Sequence, residues 1–171
     1  MSVLKKKKEL YININIDWFL CHTQLTILSS LLQNNFDDEV VRISKKLMED
    51  GWGEDKILLY FLSASQYSQG NLEASILYLE QSLKSSRYYC DIAAPLEENK
   101  SLNESEIRYI LSELYLEKGL KEKSIQELRI SKNLARKYFG KYFNDSIYQE
   151  YIQSNSFKNK KKISSDPNNT K

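Results

Sequence analysis

His22 is the only histidine in the chain, and it stands beside Cys21, one of two cysteines. An imidazole next to a thiol suggests either a metal site or an activated nucleophile. A metal site needs three or four ligands at short, regular spacing. Here Cys90 is remote and no CxxC or HxxxH spacing occurs. A nucleophile needs a positioned base, and no serine is flanked by the glycines of a nucleophile elbow. Gly51-Trp52-Gly53 lacks the third glycine and the lysine of a phosphate-binding loop, so it reads as a turn. Asp37-Asp38 falls at a helix start, where carboxylates suit the dipole, and Glu97-Glu98 falls in a loop. No catalytic, cofactor-binding or metal-binding residue is assigned, and the chain is read as a non-enzyme.

The elements that would position these residues are helices. Only 5 glycines and 2 prolines occur in 171 residues, and 41% of the residues are apolar. That composition favours long helices over a many-turned β fold. Asp17 is a candidate N-cap, and after it Trp18, Cys21, Leu25, Leu28 and Leu32 lie on one helical face. Cys21 is therefore expected to be a buried core cysteine. Phe36, Val40, Ile43 and Leu47 make a second helix, and Asp55 caps a third that ends at Gly70. Asn71 is expected to cap the fourth, which carries Leu72, Ile76, Leu79 and Leu83. Residues 86–102 lose periodicity and read as an inserted loop. Asn103 and Glu106 have capping-box spacing for a fifth helix that ends at Gly119. The sixth carries Ile125, Leu128, Leu134, Ala135 and Tyr138, and a short seventh carries Ile147, Tyr148, Tyr151 and Ile152. Residues 1–16 read as an extended or frayed N-terminal arm, 17–153 as the helical domain, and 154–171 as a disordered basic tail.

Two helix pairs repeat each other. Leu62-Ser63 and Leu111-Ser112 both begin eight residues before a glycine, Gly70 and Gly119. Serine follows each glycine after five residues (Ser75, Ser124) and after twelve (Ser82, Ser131), with leucine after nine (Leu79, Leu128). Small residues at matched places let two antiparallel helices cross closely. In a degenerate first copy Asn34 takes the glycine's place, and Glu39 falls where a small residue is wanted. The pattern resembles the tetratricopeptide repeat, a helix–turn–helix unit of roughly 34 residues. The resemblance implies an all-α helix–turn–helix solenoid of about three tetratricopeptide-like pairs plus a short closing helix over the last pair's apolar face. The layout is also similar to the amino-terminal part of subunit seven of the anaphase-promoting complex. The likeness is carried by the lead-in Glu104-Ser105-Glu106-Ile107, with Tyr109 and Tyr115 following. This second likeness implies a dimerising scaffold of a ubiquitin ligase in cell-cycle control, although the chain is much shorter than those subunits.

The groove of such a fold is lined by the first helix of each pair. Those positions hold Ile57, Tyr60, Ala64 and Tyr67, then Glu106, Tyr109, Glu113 and Leu116. They present no cation, which disfavours a clamp for carboxylate termini. They make an aromatic, acidic groove for a basic or apolar protein segment, with Tyr60, Tyr67, Glu106, Tyr109 and Glu113 as its binding residues. Packing between repeats accounts for the tyrosines equally well. Net charge is +2, but Lys5–Lys8 and the lysines of 158–171 supply it, leaving 9–157 at −6. The tails allow a second reading as a small nucleic-acid-associated helical protein, or as nuclear-import signals, while the acidic body makes nucleic-acid binding unlikely. Two cysteines make no disulfide framework, so a reducing compartment, nuclear or cytoplasmic and not secreted, is expected. No stretch reaches the length of a membrane span.

Overall fold

The structure, a computed structural model, describes residues 20–86 and 97–155. The expected arm and basic tail, Asp17 and Trp18 lie outside those residues. All the regular elements described are helical. A helix over residues 20–33 (α1) is followed by α2 (Asp37–Leu47), α3 (Lys56–Ser68), α4 (Leu72–Lys84), α5 (Glu97–Glu117), α6 (Lys121–Phe139) and α7 (Asp145–Asn155). Consecutive helices pack in neighbouring pairs. The α3–α4 and α5–α6 contacts are the most extensive, α4 joins them by packing on α5, and α2 packs on α3.

The matched serines explain why the pairs fit so closely. Ser63, Ser75, Ser112, Ser124, Ser82 and Ser131 are all buried. Ser63 Oγ donates to the Ser75 carbonyl at 2.8 Å and meets Ser75 Oγ at 2.9 Å. Ser82 Oγ donates to the Lys56 carbonyl at 3.0 Å. The partner recedes along α4 as the contact advances along α3, so the helices run antiparallel. Adding 49 to each number carries the lower contact of this pair onto the next: Ser131 Oγ donates to the Ser105 carbonyl, and Ser105 Oγ returns a bond to the Ser131 carbonyl at 2.8 Å. The upper contact relaxes in the second pair, where Ser112 Oγ turns to its own helix and donates to Tyr109 O at 2.6 Å.

The turns repeat with the same offset. Gly70 and Gly119 both have φ +83°, a left-handed conformation that costs glycine nothing and ends each first helix. The amides of Asn71 and Leu120 each reach back five residues, to Gln66 and Tyr115, at 2.8 Å. Asn71 makes no side-chain cap; its amide nitrogen donates to Gln66 Oε1 instead. Asp55 does cap α3, accepting from the amides of Ile57 at 2.8 Å and Leu58 at 3.0 Å.

Three expectations need correction. In the first pair the left-handed turn residue is Asn35 (φ +60°), not Asn34, and Phe36 N bonds back to Leu31 O as Asn71 does to Gln66. The offset to Gly70 is then 35. Val40, not Glu39, falls at the place of Ser75 and is buried, while Phe36 is exposed. The expected conflict at Glu39 came from this one-residue slip. Next, α5 begins at Glu97, so 97–102 are helical and Asn103 lies inside the helix with no capping box. Finally, Cys21 is buried but also disulfide-bonded. Cysteines distant in sequence carry no spacing signal, because disulfide geometry depends on how the chain folds. Cys90 lies outside the described residues. The disulfide removes the argument from cysteine usage for a reducing compartment.

Replacing Ser75 with leucine forces a bulky side chain into a filled crossing. Ser75→Leu is expected to lower unfolding stability by about 1–3 kcal/mol. The exposed change Leu77→Gln on the same helix should stay within ~0.5 kcal/mol. Urea denaturation measures both, and an unchanged Ser75→Leu midpoint would contradict the close crossing.

Candidate functional site

A cleft of about 200 Å³ opens between α3 and α5, lined by Lys56, Ile57, Tyr60, Asn103, Glu106 and Ile107. It lies where the sequence places the groove, between the first helices of successive pairs. The packing of α4 onto α5 sets its walls. Ile76 and Leu79 of α4 join Ile107, Ile110, Leu111 and Leu114 of α5 in one buried cluster. That cluster holds α5 beside α3. Tyr60, Tyr67 and Tyr109 pack half-buried against it, so the tyrosines do contribute inter-helix packing.

The five expected groove residues fall into two groups. Tyr60 and Glu106 line the cleft itself. Tyr67, Tyr109 and Glu113 extend from it along α3 and α5. Tyr67 crosses from α3 to α5, its hydroxyl donating to Glu117 Oε2 at 3.1 Å. Tyr109 donates to Glu113 Oε1 within α5, at 3.4 Å. Burial, with Glu117 next to it, pushes the Tyr67 phenol up to about 12; burial and Glu113 push Tyr109 up to about 12. Both phenols are therefore neutral donors at any physiological pH, and neither is a candidate base.

The expectation of a cation-free groove is corrected at one end. Lys56 and Asn103 share the cleft wall with Glu106. Sequence reasoning missed both. Lys56 precedes the run of apolar residues that marks α3, and Asn103 read as a cap while α5 appeared to start there. Lys56 stands one helical turn before Tyr60 on α3, and Asn103 one turn before Ile107 on α5. Lys56 is itself buried, with the carbonyl bonded by Ser82 directly beneath it. The remaining acidic residues of the groove, Glu113 and Glu117, lie toward the other end.

Around the site, side chains fix α5 against both neighbours. Tyr115 Oη donates to Glu80 of α4 at 2.6 Å, and Lys118 pairs with Glu73 of α4 at 2.8 Å. Arg108 bridges Glu104 at 2.8 Å and Glu127 of α6 at 2.7 Å. His22 lies exposed on α1 with Nδ1 3.3 Å from Thr26 Oγ1. Among the described residues no group of three His, Cys, Asp or Glu side chains is placed to hold a metal ion, and no helix is long and apolar enough to cross a membrane. No protein-family model, curated protein or solved structure matches the chain.

The raised phenols give a pH dependence with a defined sign. Each folded-state value lies above the ordinary tyrosine value of about 10. The stabilisation is therefore complete below pH ~10 and is lost as pH rises through about 12. Phenolate absorbance of the native protein should show tyrosines ionising about two pH units late. Tyr67→Phe with Tyr109→Phe should remove part of that late phase and flatten the loss of stability over the same window.

Proposed function

We propose that the chain is a non-catalytic scaffold of helical repeats, of the tetratricopeptide kind, that holds a protein segment in the α3/α5 groove. The observation that carries this reading is the cleft itself, lined by Ile57, Tyr60 and Ile107 with the Glu106 carboxylate in its wall and open between two first helices. The turns and serine contacts that recur at an offset of 49 support the repeat reading. Tyrosine floors suit binding because they offer rigid amphipathic area at low entropic cost. Glu106, Glu113 and Glu117 select for a segment that is apolar on one side and basic on the other. The assembly to which we assign it is a ubiquitin ligase like the anaphase-promoting complex, on the sequence resemblance of Glu104–Ile107, a segment inside α5. Nuclear or cytoplasmic residence follows from that assignment.

Affinity purification with mass spectrometry tests this, using the unaltered chain, Glu106→Lys and Tyr60→Ala. A charge reversal and an anchor truncation in the groove should each weaken capture of the same partners by ~10-fold or more. The Glu106→Lys melting temperature should stay close to the original. An unchanged partner set in both variants would refute the groove, and a partner set without ubiquitin-ligase subunits would refute the assembly.

A further inference from the structure

The two repeated pairs differ in what covers their second helix. In α4, Ile76 and Leu79 are 6% and 0% exposed, because α5 lies over them. Their counterparts in α6 are Ile125 and Leu128, at 59% and 38%. The expected closing helix does not reach them. Tyr148 and Ile152 of α7 pack with Ala135, against Phe139, Phe143 and Tyr109, and Tyr148 Oη meets Ser131 Oγ at 2.8 Å. Thus α7 covers the C-terminal half of α6 and leaves the N-terminal half open.

We propose that this open half of α6 is a docking surface for an amphipathic helix from another protein, resembling α5 but carrying a carboxylate in the middle of its seam. The interior of the chain supplies the template. There the face of α4 is covered by a helix with apolar residues at Ile107, Ile110, Leu111 and Leu114, its Tyr115 bonded to Glu80 and its Lys118 to Glu73. On α6, Glu122 keeps the acid of Glu73, while Arg129 stands in the place of Glu80 and Lys121 in the place of Leu72. The occupant therefore keeps its lysine opposite Glu122 and exchanges the tyrosine for a carboxylate opposite Arg129. A second copy of this chain fits less well. Face to face about a two-fold axis near Ile125, Lys121 of one copy would lie opposite Arg129 of the other, like charge against like. Head to tail, the face of α1 is mixed: Thr23, Thr26 and Ser30 are exposed and polar beside exposed Leu20 and Ile27. The surface is separate from the α3/α5 groove and does not depend on it.

The probe is a synthetic peptide of residues 104–118 carrying Tyr115→Glu, stapled on its polar face to hold it helical, titrated into the whole chain by fluorescence anisotropy. Binding is expected, weakened ~10-fold or more by Ile125→Asp with Leu128→Asp. Arg129→Glu should weaken it by about 3-fold and instead favour the Tyr115→Lys peptide. Both sites are exposed, and circular-dichroism melts of the variants should match the parent. No binding, or binding indifferent to Ile125 and Leu128, overturns the proposal. So does sedimentation showing a dimer of the chain that the same double variant dissociates, because the second copy would then be the occupant.

Discussion

In the two repeated pairs the antiparallel helices meet at buried serines, small side chains that also bond across the crossing. A hydroxyl at such a place would be costly without a partner. The opposing carbonyls of Lys56 and Ser105 supply one each for Ser82 and Ser131. The serine thus resolves two demands together, small volume and a satisfied polar atom. Everything else in the pair follows. The glycine turns bring the second helix back, the leucines of its outer face turn toward the next pair, and the first helices are left side by side with the cleft between them.

The first pair satisfies the same geometry with different chemistry. Counting back 35 residues, Leu28 and Val40 stand for Ser63 and Ser75, and Cys21 and Leu47 stand for Lys56 and Ser82. All four are buried. Apolar side chains of moderate size replace the hydrogen-bonded serines, and Cys21 among them is disulfide-bonded. A helix pair can therefore close with the same kind of turn and a buried crossing where the matched serines are missing. That is why this pair looked degenerate as a string of letters.

The candidate groove shows how one set of residues answers to packing and recognition together. Tyr60, Tyr67 and Tyr109 rest on the cluster that joins α4 to α5, with Tyr67 and Tyr109 turning their hydroxyls to carboxylates. Their rings help hold the walls while leaving an amphipathic surface. The opposite end of the molecule shows what happens when the neighbour is absent. The leucine and isoleucine places that are core in α4 become surface in α6, with cations set around them.

What the sequence by itself determined was local. The order of helices, the turns at Gly70 and Gly119, the Asp55 cap and the burial of the matched serines follow from periodicity, left-handed backbone and side-chain volume, which act within a turn or two. Ile57, Tyr60 and Glu106 of the cleft were legible for the same reason, since they recur on one face of each first helix. The tertiary structure decided everything that depends on which surfaces meet. It set the register of the first turn at Asn35, began α5 at Glu97, tied Cys21 into a disulfide and put Lys56 in the groove wall. It also left Ile125 and Leu128 open where periodicity alone had marked them as core. An apolar stripe says that a face can be buried; only the placement of a neighbouring helix says whether it is.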